Sequence, residues 1–145
     1  YVIKLLSLIK ECHETAFHSF SIVGYILLRY ITVLSSGTSL KKIHFTTTSQ
    51  AEHLRTDNAS GEVLDYADKF MEGCMGLFGR IEQSDIKYVN FGEYKDDKSL
   101  YQSLRKKLAE FRKTIENNIA MNGIVNIIDD FATDLNKWIY LSDNK

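Results

Sequence analysis

The sequence predicts an all-α protein, an antiparallel bundle of four to five helices around an apolar first element. The chain has 145 residues and no proline, whereas average usage would give roughly seven, and proline is poorly tolerated inside helices. Several segments carry apolar residues at steps of three and four, the spacing of one helix face. Residues 17–34 are apolar around nearly their whole circumference, so we expect them to lie at the centre, covered by the other helices.

The composition predicts one domain spanning residues 1–145. Hydrophobic residues make up 44% and charged residues 26% of the chain, which is ordinary for a globular protein, and this length suits a single domain. The net charge of −1 predicts no nucleic-acid partner. Because the first residue is Tyr1 rather than Met, we expect the domain to be excised from, or processed out of, a longer chain. No compartment is indicated.

The first element leaves two interpretations open. Residues 1–16 have the pattern of an amphipathic helix, and nothing breaks the chain before residue 34, so one helix over about 2–34 is the first interpretation. Residues 38–58 then form a long surface connection with a short helix at 49–55. The second interpretation is a small β-hairpin near 31–47, because residues 35–39 form a turn-like cluster and apolar and polar residues alternate from Lys42 to Thr47.

A helix is predicted from Gly61 to about Glu82, with Asn58 or Ser60 as its N-terminal cap. Its apolar stripe is wide enough to face two neighbours, as in a bundle. The seam consists of Val63, Ala67, Phe70, Cys74, Leu77 and Ile81.

Two more amphipathic helices follow an interruption at 84–97. The first is predicted over Lys98–Met121, with Asp96 or Asp97 as its cap, and the second runs from Ile124 to about Leu141 after an Asn122-Gly123 stop. A short turn between two such helices makes them antiparallel neighbours. The two seams are Tyr101, Leu104, Leu108, Phe111, Ile115 and Ile119, then Ile124, Ile128, Phe131, Leu135 and Trp138.

A basic stretch and a glycine ladder are the two candidate binding features. The stretch places five cations within nine residues, a pattern that can bind anionic lipid, although a solvated helix face explains it too. It consists of Arg105, Lys106, Lys107, Arg112 and Lys113. The ladder is Gly73, Gly76 and Gly79; each glycine costs about 1 kcal/mol relative to alanine inside a helix. Close approach of another helix or a frayed helix end explains the ladder structurally, and a contact surface or hinge explains it functionally.

No catalytic, cofactor or metal motif is recognisable in the sequence. His13 and His18 are five residues apart, whereas the helical zinc motif needs histidines four apart on one face. Asp129, Asp130 and Asp134 form an acidic face that we expect to meet water. We therefore expect no enzyme activity, no cofactor and no bound metal.

The two cysteines and one sequon complete the candidate features. Cys12 and Cys74 are expected to be buried thiols, with a disulfide between them as the alternative in an oxidising compartment. Asn58-Ala59-Ser60 is a glycosylation sequon in a predicted loop.

Two functions agree with these features. The first is a non-enzymatic interaction module that binds a protein partner or a second copy of itself, favoured by the bundle pattern without any site motif. The second is a membrane-active or lipid-binding bundle in which the basic helix 105–113 docks on anionic lipid beside the apolar element.

Overall fold

A computed structural model describes residues 18–86 and 91–144, and the amphipathic pattern of residues 1–16 therefore lies outside the described residues. The described residues form four α-helices: α1 (His18–Thr46), α2 (Gln50–Phe78), α3 (Asp97–Ile115) and α4 (Asn122–Ser142). Two short 3-10 turns occur at Gln83–Asp85 and Ile119–Met121. The described part of the chain contains no β-strand, so the all-α prediction is confirmed with four helices rather than five.

The β-hairpin near 31–47 is wrong, because α1 runs without a break to Thr46. The serine and threonine hydroxyls that resembled a turn are satisfied inside the helix. The Ser36 hydroxyl donates to the Thr32 carbonyl at 2.8 Å, and the Ser39 hydroxyl donates to the Ser35 carbonyl at 2.7 Å. A hydroxyl that bonds back to the preceding turn is no longer a signal for a chain reversal.

Gly37, the centre of the expected turn, is a packing residue. A Cβ atom built on it would lie 2.9 Å from Leu64 Cδ2 of α2. The missing side chain therefore lets α1 and α2 approach closely at this level.

The long connection predicted over 38–58 is also wrong, because only residues 47–49 separate α1 from α2. Ser49 is the N-terminal cap of α2, and its hydroxyl accepts the Glu52 amide at 3.3 Å. The expected caps Asn58 and Ser60 lie inside α2, where Ser60 is buried and bonds back to the Asp57 carbonyl. The sequon consequently lies within a helix rather than in a loop, with Asn58 exposed and Ala59 and Ser60 buried.

The helices that lie side by side in the bundle are antiparallel. Lys41 near the end of α1 pairs with Asp57 near the start of α2, with Nζ 2.6 Å from Oδ1. At one end of the α3–α4 pair Lys98 bonds Asp143, and at the other Arg112 bonds Asp129.

The chain between α2 and α3 crosses from one end of the bundle to the other. The crossover, residues 79–96, begins where α2 ends, yet it delivers Asp97 to Arg55 near the start of α2. The backbone amide of Gly92 donates to the Ser39 hydroxyl at 2.8 Å and Glu93 pairs with Lys42, so the crossover is attached to α1. As a result α2 and α3 are parallel and lie diagonally, while α1 and α4 occupy the other diagonal.

The predicted seams of α3 and α4 form the core. All residues of both seams are buried except Ile119, which lies beyond the end of α3 and is 84% exposed. The helix ends at Ile115 rather than Met121, and the Asn118 side chain then caps a separate 3-10 turn by accepting the Ala120 amide. Asn122 begins α4, so the expected Asn122-Gly123 helix stop is wrong.

Among the described helices, α1 has a length and composition compatible with a membrane span. Its most apolar window within Ile22–Thr46 has a mean hydropathy of 1.2, and 39% of that window is buried in the bundle. The core helix of a soluble protein meets the same criterion, so this property adds little weight to the membrane hypothesis.

Candidate functional site

The end of the bundle where α2 stops, named the α2 end, carries the first candidate site. A pocket of about 100 Å³ opens there between α1, α2 and the start of the crossover. The α1 wall is Val23, Ile26 and Leu27, the α2 wall is Met71, Cys74, Met75 and Phe78, and the crossover supplies Gly79, Arg80, Ile81 and Asp85. Apart from Arg80 and Asp85 its lining side chains are apolar, so the pocket suits an apolar group.

Two large apolar side chains are exposed at the end of α2, of which Phe78 lines the pocket and Leu77 does not. Leu77 is 46% and Phe78 is 42% exposed. The predicted seam of α2 therefore ends at Cys74. Leu77 was wrongly assigned to the core, and Ile81 lies beyond the helix, which ends at Phe78 rather than at about Glu82. Two exposed apolar side chains beside an apolar pocket are a larger patch than isolated surface residues, and patches of this kind often mark interaction sites.

The glycine ladder lies at the same end, and its three members differ. A Cβ on Gly73 would lie 2.8 Å from Ile124 Cδ1 of α4, so Gly73 serves close helix packing. Gly79 ends α2 with φ 89°, a backbone conformation in which glycine is favoured. Gly76 is exposed, and a Cβ on it would meet nothing within 4 Å. Packing and helix termination explain two of the glycines, and Gly76 remains available at the surface.

Cys74 is a buried free thiol on the pocket wall, as predicted. Burial raises the pKa of its thiol to about 12. Thiolate is the nucleophilic form, so Cys74 is unreactive in this environment. Cys12 lies outside the described residues, and the alternative disulfide is therefore not tested.

The five cations of the basic stretch are not equivalent. Arg112 binds both Asp129 oxygens, at 2.6 and 3.1 Å, and also bonds Glu116 at 2.6 Å. The hydrogen bond from Arg112 holds the pKa of Asp129 below its usual range. Arg112 is thus committed to joining α3 and α4.

The other four cations make no ion pair with any described residue and are at least partly exposed, three of them in the middle of α3 and Lys113 in its last turn. They are Arg105, Lys106, Lys107 and Lys113. The only acidic side chain interspersed with them is Glu110. Arg105, Lys106 and Lys113 fall within about 100° of one another around the helix, whereas Lys107 lies about 160° from Arg105. Three of the four cations therefore share one face, on a chain with nearly zero net charge.

The acidic face of α4 is partly used by protein contacts. Asp129 holds Arg112, and Asp134 accepts the Tyr66 hydroxyl at 2.7 Å. The described residues contain no group of three or more His, Cys, Asp and Glu side chains that could hold a metal ion. His13 is outside the described range, and its interpretation is unchanged.

Sequence reasoning missed a polar cluster at the opposite end of the bundle. Asp97, only 2% exposed, receives two bonds from the Arg55 guanidinium. Its backbone amide donates to Glu52 Oε1 at 3.0 Å, and the other Glu52 oxygen accepts the Thr47 hydroxyl. Desolvation raises the pKa of Asp97, and Arg55 opposes that rise.

Two histidines close the adjacent turn. His44 lies in the last turn of α1 and His53 in the first turn of α2, with ring centroids 3.8 Å apart and 24° between the planes. A sequence signal existed, two histidines nine residues apart around a Thr/Ser segment. It could be interpreted only once the turn had been located at 47–49.

The fold and these surfaces define a four-helix bundle protein with an apolar pocket at one end and a polar cluster at the other. The chain belongs to the family of unknown function DUF5856, whose model matches residues 44–141. No curated protein and no solved structure gives a significant match to the chain. The matched range begins in the last turn of α1 and includes α2, α3 and most of α4.

Proposed function

We propose that this protein is a non-enzymatic interaction module whose α2 end binds a partner protein. The observation that carries the proposal is the apolar pocket, whose lining residue Phe78 is half-exposed and is followed along the end of α2 by no covering element among the described residues, with the half-exposed Leu77 next to it in sequence. Methionine side chains are flexible and adapt to different partners, and Met71 and Met75 both line this pocket.

The size of the pocket limits what it can accept. Its volume of about 100 Å³ is smaller than the roughly 150 Å³ cavity that holds a benzene molecule. We therefore infer a single aliphatic side chain as the anchor, carried by an amphipathic helix that covers Leu77 and Phe78. Arg80 and Asp85 both line the pocket, and Arg80 forms no ion pair with another described residue, so a carboxylate of the partner would be favoured beside Arg80.

A photo-crosslinking amino acid tests this surface directly. It is placed at Leu77, and a matched control carries it at Phe45, which is 78% exposed at the opposite end of the bundle. We expect one protein to be captured from Leu77 and not from Phe45. The captured protein, purified, should bind the chain with a defined stoichiometry, and Met75→Glu should abolish binding by placing a charge in the pocket.

Two outcomes would contradict the proposal. Equal capture from both positions would indicate nonspecific adhesion, and unchanged binding by Met75→Glu would remove the pocket from the interaction. Sedimentation of the purified chain over a range of concentrations tests whether the captured protein is a second copy of this chain. In that case the purified chain would self-associate.

Anionic lipid is the second candidate, favoured by the four unpaired cations on α3. Each basic side chain near an anionic surface contributes about 1 kcal/mol of attraction, and the attraction falls with salt. We expect co-sedimentation with anionic vesicles at low salt that weakens at physiological salt, and none with neutral vesicles.

The charge-reversal variant for this test spares Arg112. Arg105, Lys106, Lys107 and Lys113 become Glu, while Arg112 keeps its bonds to Asp129. The control reverses Lys69, which lies on the exposed face of α2. Equal vesicle binding by wild type and the α3 variant would exclude the basic patch as a lipid site.

A further inference from the structure

The chain has three methionines, and they differ in burial. Met71 is 4% exposed and Met121 is fully buried in the core. Met75 is partly exposed, and it lines the pocket at the α2 end together with Met71. Because a thioether in the core is shielded from solutes, Met75 is the methionine that a small oxidant in water reaches first.

Cys74 lies on the wall of the same pocket but is protected from such an oxidant. Cys74 is 2% exposed, and burial raises the pKa of its thiol to about 12. The thiolate is the form of cysteine that peroxides oxidise, and this thiol stays protonated at neutral pH. The thioether of Met75 needs no ionisation before it reacts. Access to solvent therefore selects Met75 among the described sulfur atoms.

We propose that Met75 is an oxidation site through which hydrogen peroxide controls the pocket at the α2 end. One oxygen atom of the peroxide bonds to the Met75 Sδ as the O–O bond breaks, and the other oxygen leaves as water with both peroxide hydrogens. The sulfur loses two electrons and the peroxide gains them. The product, methionine sulfoxide, is polar, and methionine sulfoxide reductases return it to the thioether. The modification is therefore reversible.

The sulfoxide removes an apolar wall from the pocket whichever way it points. If its oxygen points inward, it enters a pocket whose α1 wall is Val23, Ile26 and Leu27. These side chains offer no hydrogen bond, and burying a polar group without one is unfavourable. If the oxygen points outward, the Met75 thioether leaves the wall and its packing contacts there are lost. Both positions weaken the binding of an apolar group in the pocket.

Arg80 adds a second effect of the oxidation. It lines the same pocket and forms no ion pair with another described residue. A sulfoxide oxygen accepts hydrogen bonds, so the Arg80 guanidinium can donate to it. This bond would compete with the carboxylate that the proposed partner places beside Arg80. The effect on partner binding rests on the proposed function, whereas the oxidation of Met75 does not.

Peptide mapping by mass spectrometry tests the oxidation site. The full chain is treated with increasing hydrogen peroxide at neutral pH, and we expect Met75 to gain an oxygen atom before Met71, Met121 or Cys74 does. The same treatment in denaturant is the control, because the three methionines should then oxidise at similar rates. Oxidation of Met71 or Met121 as fast as that of Met75 in the folded chain would overturn the proposal.

Xenon tests the pocket without the partner, because apolar cavities bind this gas. The methyl NMR signals of Val23, Ile26 and Leu27 should shift with xenon pressure in the untreated chain and much less after oxidation. Met75→Leu, compared with its own untreated sample, should respond equally before and after peroxide, since leucine has no sulfur. Wild-type shifts that survive oxidation, or shifts that peroxide also removes in Met75→Leu, would contradict the proposal. Signals that ignore xenon even in the untreated chain would contradict both it and the proposed function.

Partner binding separates the two proposals from each other. The protein captured through Leu77 should bind the oxidised chain about tenfold more weakly, because the sulfoxide is a polar group in an apolar contact, and sulfoxide reductase should restore its binding. Equal binding to both forms would exclude control by peroxide and leave the proposed function intact. If no protein is captured although oxidation of Met75 abolishes the xenon shifts, the proposed function fails and the oxidation site is supported.

Discussion

Arg55 of α2 binds Asp97, the first residue of α3, through two hydrogen bonds of 3.0 and 3.4 Å. The Arg55 side chain is 15% exposed and that of Asp97 3%. A third guanidinium nitrogen donates to the Asn144 carbonyl just beyond α4, at 3.2 Å. One side chain of α2 thus fixes the start of α3 and the end of α4.

Removing Arg55 should destabilise the protein in a pH-dependent way. Breaking a buried ion pair by deleting one partner costs about 3–5 kcal/mol, so Arg55→Ala should lose about that much near neutral pH. The pKa of Asp97 is raised by burial and held down by Arg55, and it rises further in the variant. A carboxyl whose pKa is raised in the folded state contributes to the free energy of unfolding. This contribution is fully present below the ordinary pKa of about 3.9, and it is lost as pH rises through the pKa of the folded state.

Chemical denaturation between pH 3 and pH 7 measures this dependence. The cost of Arg55→Ala should be small at pH 3, where Asp97 is protonated in both folded and unfolded chains, and should grow as pH rises. In an Asp97→Asn background the cost of Arg55→Ala should stay small from pH 3 to pH 7, because the charge that couples the two residues is absent. A cost independent of pH and of residue 97 would contradict this role of the pair.

Truncation of the two central seams should be strongly destabilising. Leu108 and Phe131 are buried in α3 and α4, and Leu108→Ala and Phe131→Ala should each cost about 2–5 kcal/mol. Ile119→Ala is the matched control, since the Ile119 side chain is exposed at the tip of the α3–α4 turn, and it should change stability by less than about 0.5 kcal/mol. If Ile119→Ala lowered the denaturation midpoint as much as Leu108→Ala and Phe131→Ala do, the core faces would be wrongly assigned.

The seams of α3 and α4 could be predicted because each helix buries only one face. Apolar residues at steps of three and four then identify that face without knowledge of the rest of the fold. Asp96 was correctly among the predicted caps of α3, since its side chain accepts the Ser99 amide at 2.8 Å. Local chemistry was sufficient for both features.

The α1–α2 half could not be predicted in the same way, because its signals are ambiguous. The serine and threonine residues around Gly37 resemble a turn in the sequence. Only the structure shows why they are helical, because Leu64 packs against Gly37 and the Ser36 hydroxyl donates to a carbonyl of the preceding helical turn. Because the turn was misplaced, the Ser49 cap and the His44–His53 pairing were missed as well. Arg55 and Asp97 are 42 residues apart, and their contact depends on the course of the crossover, which no local pattern specifies.

Removing the hydroxyl group of Tyr101 and that of Tyr66 should change the free energy of unfolding in opposite directions. Tyr101 is fully buried and its hydroxyl has no hydrogen-bond partner among the described residues, whereas the Tyr66 hydroxyl donates to Asp134 at 2.7 Å. Removing an unpaired buried polar group is neutral or stabilising, so Tyr101→Phe should gain up to about 1 kcal/mol. Tyr66→Phe should lose about 1 kcal/mol with its hydrogen bond. Thermal and denaturant unfolding of both variants measure the difference, and a destabilised Tyr101→Phe would reveal a partner for that hydroxyl.

Replacing each of the last two glycines of the ladder with alanine should change the free energy of unfolding in opposite directions. Gly76 is exposed within α2, and a methyl group added there would have open space around it, so Gly76→Ala should stabilise the protein by about 0.5–1 kcal/mol. Gly79 has φ 89° and ψ 177°, a region that is almost restricted to glycine, so Gly79→Ala should cost about 1–3 kcal/mol. Denaturant unfolding of the two variants measures both effects, and equal signs would contradict the assigned backbone roles.

Gly76→Ala further separates helix stability from partner binding at the α2 end. If a partner helix lies against Gly76, the added methyl group should weaken its binding although the bundle itself becomes more stable. If the partner contacts only the pocket and Phe78, the variant should bind as the wild type does while Met75→Glu still fails. Titration of the purified partner against the two variants distinguishes these arrangements, since loss of stability cannot explain weaker binding by a stabilised protein.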